Sequence, residues 1–311
     1  MQELARELKP LETQMNLARL APLLVFLGAC SSFDPADQSY EELYGPGQVE
    51  LPPEWACLTD DDYPMVPREA KTVTYVTPIV DFDSQPTSPT VVPGLQVMVC
   101  GDATCAAPAA NVQVIQMPDR PFLYAIQFPY GFANASLKLT APGYVPMYYA
   151  FGGPMVGLPE GEHTVMGLGV PLLSEQRRDF IYGDIGLSQG ADAGRGVLAV
   201  RTLNCLRQAK AEDPFQGQRA AGVRVRAVPR DPEPPAASWT LSNSNVATPN
   251  NEVTDERGVA GFLNVLPGTV QVEGVARFDG TELPYGRTPV RVRADAITLA
   301  EVRPGLDQWG Q

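Results

Sequence analysis

The sequence predicts an all-β protein built as two tandem small antiparallel β-sandwiches behind an N-terminal export segment and a flexible tether. Three observations carry that expectation. Alternating runs rich in Val, Leu, Ile and aromatics recur between turn residues, which is the pattern of strands with one buried face. The chain holds 31 Pro and 28 Gly in 311 residues, too many breaks for long helices. Its length suits about two domains of roughly 100 to 200 residues each, and its 44% hydrophobic content supports folded cores.

The first element is the stretch MNLARLAPLLVFLGACSS, Met15 to Ser32. Arg19 supplies a basic start, Leu20 to Leu27 an apolar core, and Gly28 and Ala29 small residues at a cleavage position, which together make a secretory signal. The apolar part is far shorter than the roughly 20 residues that cross a bilayer as a helix. Leu27-Gly28-Ala29-Cys30 resembles the lipobox of bacterial lipoproteins. The resemblance implies cleavage before Cys30, diacylglycerol on its thiol and an acyl chain such as palmitate on its amine. Several buried chains at about 0.8 kcal/mol per CH₂ make a stable anchor where one does not. Residues 1–29 are therefore expected to be removed, with Met15 the expected true start. Ser31 follows the cysteine where inner-membrane retention places Asp, so the family's sorting rule implies the outer membrane, on its periplasmic face or at the cell surface.

Residues 30–54 are polar and acidic without a period of 2 or 3.6, and they read as the lipidated tether. Residues 55–173 are expected to form the first sandwich with an N-terminal extension. Its strands are read in TVTYVTPIVDF, VVPGLQVMVC, FLYAIQFPYG and ASLKLTAPGYVP. Residues 174–193, rich in Gly, Asp and Ser, read as a linker. Residues 194–304 repeat the layout in RGVLAVRTLNC, AAGVRVRAV, GVAGFLNVLPG and TVQVEGVARF, leaving 305–311 as a tail.

GVRVRAV at Gly222 to Val228, followed by TDERGVAGFLNVLPGTVQVEG at Thr254 to Gly274, resembles carboxypeptidase regulatory-like domains, the transthyretin-like sandwich found beside metallocarboxypeptidases and in bacterial surface proteins. Thr254, Asp255, Gly258, Phe262, Pro267 and Gly268 stand at that family's positions. The resemblance implies an Ig-like or prealbumin-like fold and no particular activity, because such modules host many roles. The residues agree physically: Asp255 can close an Asx turn, Gly258 can take a positive φ, and Phe262 supplies buried area. The first segment carries only TAPGYVP, Thr140 to Pro146, as a match to related lipoproteins.

Beyond Cys30 four cysteines remain, an even number that in an exported protein predicts two disulfides with three possible connectivities. Cys100 and Cys105 close a short loop, so local pairing is the first expectation; Cys57 would then join Cys205. The four lack the paired Cys-x₂₋₄-Cys knuckles of zinc sites, and Cys100 and Cys105 lack a redox Cys-x-x-Cys. No metal or other cofactor is expected.

A single histidine, His163, restricts acid-base and metal schemes. Gly186-Leu187-Ser188-Gln189-Gly190 matches G-x-S-x-G, yet no histidine follows it and no strand-to-helix elbow surrounds it. No catalytic residues are assigned, and the chain is expected not to be an enzyme. Asp60, Asp61, Asp62, Asp81 and Asp83 lack the EF-hand spacing and read as solvated acidic turns. A net charge of −13 gives no electrostatic footprint for DNA, RNA or anionic lipid, and no nucleic-acid partner is expected.

Among the aromatics Tyr144, Tyr148, Tyr149, Phe151, Trp239 and Tyr285, alternation sends Tyr149 and Phe151 to one face and Tyr148 to the other. Tyr148, Trp239 and Tyr285 are the binding candidates. The expected partners are the membrane through Cys30 and an envelope or surface protein. The expected role is a non-enzymatic structural or interaction module, with recognition of carbohydrate or matrix by exposed aromatics as the alternative.

Overall fold

The computed structural model describes residues 51, 55, 72–84, 88–102, 104–129, 132, 135–151, 164–185, 192–204, 219–229, 237–241, 247–249, 253–278 and 281–304. The export segment, Cys30, Cys57, the Asp60–Asp62 run, His163, Ser188 and Cys205 lie outside them.

Within the described residues the chain is a β-protein with one helix. In the first half the strands are β1 (Thr72–Asp81), β2 (Gln96–Val99), β3 (Gln113–Gln116), β4 (Leu123–Pro129), β5 (Ser136–Thr140), β6 (Met147–Ala150), β7 (Thr164–Met166) and β8 (Val170–Leu172). Helix α1 (Glu175–Asp184) follows. The second half holds β9 (Gly196–Thr202), β10 (Val223–Pro229), β11 (Ala237–Leu241), β12 (Ala247–Pro249), β13 (Val259–Val265), β14 (Gly268–Phe278), β15 (Thr281–Val292) and β16 (Ile297–Val302).

Three sheets result. One has the order β3-β4-β1-β7, with β8 also pairing β1; one is β10-β14-β15; the largest runs β12-β11-β13-β9-β16-β6-β5-β2. This eight-stranded sheet draws strands from both halves. The two sandwiches predicted in tandem therefore share a layer: each half is closed by its own smaller sheet, and the large sheet passes between them.

The seam is β16, which pairs parallel with β9 on one side and with β6 on the other. Every residue of ITLAEV is buried, as expected for a strand covered on both faces. Period two divides it. Ile297 and Leu299 enter the core formed with β1, β4, β5 and β6, while Ala300 and Val302 enter the core under β10, β14 and β15. Burying a side chain the size of Ile297 or Leu299 contributes roughly 1.5–3 kcal/mol. The same strand thus stabilises both halves.

Two further features depart from the sequence expectation. The 174–193 stretch read as a linker contains α1. Ser174 caps it by accepting from the Arg177 N–H at 3.1 Å, and Tyr182 and Ile185 are buried in the first core. Trp55, assigned to the first sandwich, instead packs edge-on against Phe278 and Tyr285 of the second core, with ring centroids 5.4 and 4.9 Å away.

The turn that carries the family resemblance forms as its residues predict. The Asp255 carboxylate accepts from the Arg257 N–H at 2.9 Å, and Gly258 has φ +58°. A side chain at Gly258 would press on the Thr202 carbonyl and the Ala220 backbone. Thr254 is buried, donating to the Ala220 carbonyl at 2.8 Å and accepting from the Val223 N–H at 3.1 Å. Phe262 enters the second core.

Candidate functional site

Where β1, β6, β9 and β16 meet, the sequence places four polar side chains on the inner face. Tyr75 comes from β1, Tyr149 from β6, Arg201 from β9 and Glu301 from β16. In the parallel register Glu301 stands opposite Arg201, and Leu299 opposite Tyr149. Period two then aims Tyr149, Arg201 and Glu301 into the same interior. Arg201 is 3% exposed and Glu301 6%.

The Tyr149 hydroxyl donates to Glu301 Oε1 at 2.5 Å, and Arg201 Nη1 donates to the same oxygen at 3.2 Å. Since the Tyr149 proton is engaged there, Tyr75 must donate to Tyr149 across their 3.1 Å contact. Arg201 Nη2 closes the chain by donating to the Gly169 carbonyl at 2.6 Å. Beside it the Thr77 hydroxyl donates to the Leu168 carbonyl at 2.9 Å. Phe151 walls the ladder, with centroids 4.8 Å from Tyr75 and 4.7 Å from Tyr149.

Burial, and then the Glu301 carboxylate, push both tyrosine hydroxyls far above the ordinary phenol range. Neither is a proton donor or base near neutral pH. The ladder holds its protons and joins three parts of the fold: the five-stranded sheet, the first-half end of the large sheet and its second-half end. Its chemistry is that of a tie. Gly167 makes the approach possible, because a side chain there would collide with the Tyr75 ring and hydroxyl.

Of the three aromatic binding candidates, two lie in the interior. Trp239 is 8% and Tyr285 2% exposed, so neither presents a ring to solvent. Each is received by a glycine. Trp239 stands opposite Gly261 in the β11–β13 register, and its ring occupies the space a side chain on Gly261 would take. Tyr285 covers Gly274 in the same way, and burial raises its hydroxyl strongly. The missed signal was the glycine in each facing strand, which becomes visible only once the register is known.

Tyr148 alone stays on the outer side and is half-buried. It lies between Lys138 and Thr298 in neighbouring strands, with the Arg293 guanidinium 3.9 Å from its ring centroid. Tyr149 and Phe151 are core, as alternation predicts.

Cys100 and Cys105 are joined as a disulfide. Asp102 organises the loop between them, its Oδ1 accepting from the Thr104 hydroxyl at 2.6 Å and from the Thr104 and Cys105 N–H groups at 2.8 and 2.7 Å. Those hydrogen bonds, the Thr104 hydroxyl first, hold its carboxyl below the usual range.

Asp81 and Asp83 serve structure. Asp81 accepts from the Tyr144 hydroxyl at 2.6 Å and from the Asp83 N–H at 2.8 Å, while Asp83 meets Arg177 of α1 at 3.2 Å. Burial and the Asp81 bond push the Tyr144 hydroxyl up to about 12. Among the described residues no helix is long and apolar enough to cross a membrane.

No family model and no curated protein matches the chain. Among solved structures, similarity is found to the Bacillus anthracis TIE protein, at 12% identity and TM-score 0.22, covering 75% of this chain and 34% of that one. The chain thus spans about a third of that protein's length. A shaft pilin from Lactobacillus rhamnosus GG is 10% identical at TM-score 0.20, with 75% of this chain and 98% of that one covered. The minor pilin of Streptococcus agalactiae is 10% identical at TM-score 0.24, with 75% and 96% covered.

Proposed function

We propose that this protein is a non-enzymatic cell-envelope lipoprotein, anchored in the outer membrane by lipid on Cys30, whose joined sandwiches act as a structural or protein-interaction module. The observation that carries the reading is the seam. A strand buried on both faces is hydrogen-bonded into both halves and tied by Tyr75, Tyr149, Glu301 and Arg201, so its polar chemistry is spent on holding the two bodies together. The disulfide between Cys100 and Cys105 supports an oxidising compartment. Pairing of Cys57 with Cys205 is part of the proposal, and Trp55, two residues before Cys57 and packed in the second core, supports it.

Intact mass of the membrane-extracted protein, before and after reduction, tests the reading. A chain beginning at acylated Cys30 with two disulfides supports it. A chain that keeps the preceding residues and carries no lipid overturns the anchor, and substrate turnover by the purified protein overturns the non-enzymatic role.

A further inference from the structure

The whole molecule is acidic, at −13, yet one sheet face is not. Strands β10, β14 and β15 turn Val223, Val272, Tyr285, Val290 and Val292 into the second core. Period two sends alternate residues outward, among them Arg224 and Arg226 on β10, Arg277 on β14 and Arg291 on β15, while the register shift beside Gly286 turns Arg287 to the same face, opposite Glu273. Among the described residues the acids on this face are Glu273 and Glu282, so five guanidinium groups there stand against two carboxylates.

The two glutamates fix part of the array. Glu282 holds Arg224 at 2.8 Å and Arg226 at 3.4 Å, and Glu273 holds Arg287 at 3.1 Å. Arg277 and Arg291, both exposed, flank that centre near opposite ends of the ladder, opposite Glu282 and Thr269 in the register.

We propose that this face binds an acidic polysaccharide, a polymer of repeated carboxylate or sulfate groups. Charge complementarity selects an anion, and the arrangement selects a repeating one. Arginines two residues apart on a strand are separated by about 7 Å, and those on adjacent strands by about 5 Å. Such an array presents successive planar forks to successive anionic groups. A protein partner would need buried aromatic or aliphatic anchors at its centre, and a bilayer surface would need residues that insert. Among the described residues the exposed large apolar ones are Val91, Ile115, Met117 and Phe180, and none belongs to this sheet. The disulfide points to an oxidising compartment, away from cytosolic nucleic acid.

The proposal goes beyond the anchored-module reading, and its failure would leave that reading standing. The test titrates the full chain with polygalacturonate and heparin, beside neutral dextran, duplex DNA and phosphatidylglycerol vesicles. The expected result is binding to the two acidic glycans and not to dextran, weakening as salt rises. The double variant Arg277→Gln, Arg291→Gln should bind about tenfold more weakly, with a log–log salt slope smaller by about two, one for each cation removed. Both positions are exposed, so its thermal unfolding should match that of the wild type. Absence of glycan binding, binding unchanged in the double variant, or tighter binding to DNA or vesicles than to the glycans would each overturn the proposal.

Discussion

Replacing Glu301 by Gln removes the only carboxylate that faces Arg201 within hydrogen-bond reach among the described contacts, while preserving shape and an acceptor for Tyr149. With Arg201 3% and Glu301 6% exposed, the surviving guanidinium is a buried, uncompensated charge. Breaking such a pair costs about 3–5 kcal/mol. Replacing both partners by apolar residues, Arg201→Met with Glu301→Leu, removes that charge; it still strips the Gly169 carbonyl of its donor and the Tyr149 hydroxyl of its acceptor, at roughly 1–3 kcal/mol each. The double variant should therefore be far more stable than the two single losses added together. Urea unfolding followed by tryptophan fluorescence measures each stability, with Trp55 and Trp239 reporting from the two cores. A cost for Glu301→Gln below about 1 kcal/mol, the range of solvent-exposed ion pairs, would refute the reasoning. So would a double variant as unstable as the summed singles.

Two other perturbations probe the same ladder. Because burial raises the Tyr75 and Tyr149 hydroxyls, the folded state keeps protons that the unfolded chain releases above about pH 10. The stability they contribute is fully present below that pH and is lost as pH rises toward the folded values, at up to about 1.4 kcal/mol per pH unit for each tyrosine. Tyrosinate absorbance should show these two ionising only with unfolding, and early, reversible ionisation of every tyrosine in the folded protein would contradict it. Gly167→Ala places a methyl group against the Tyr75 ring, an overpacking expected to cost about 1–3 kcal/mol. In Tyr75→Phe the same substitution should cost less, because the hydroxyl end of the ring no longer has to be accommodated; equal costs in both backgrounds would show that the contact is not limiting.

Much of the fold was legible because local alternation is a local signal. The runs around Thr72–Asp81, Leu123–Pro129, Gly196–Thr202 and Gly268–Phe278 are strands where their pattern places them. The turn at Asp255 and Gly258 follows from its own residues. The shared sheet was not legible, since nothing local in ITLAEV says that its neighbours lie both about 100 and about 150 residues earlier in the chain. Helix α1 was signalled by Ser174 before Glu175, but the surrounding Gly and Asp outweighed that cap.

The site was half-readable for the same reason. Alternation sorted Tyr148 from Tyr149, whereas Trp239 and Tyr285 were buried by Gly261 and Gly274 on strands whose register no local pattern specifies. The basic face was written in GVRVRAV as plain period two. Its sign was hidden by a net charge that averages over the whole molecule.

The central claim is that one sheet makes the two halves a single cooperative body. Native-state hydrogen exchange, comparing amides of β1 and β4 with those of β10 and β14 under rising denaturant, tests it most directly. The account predicts that the slowest amides of both sheets open with one free energy and one denaturant dependence. Two distinct opening free energies, with one small sheet exchanging while the other stays protected, would contradict it.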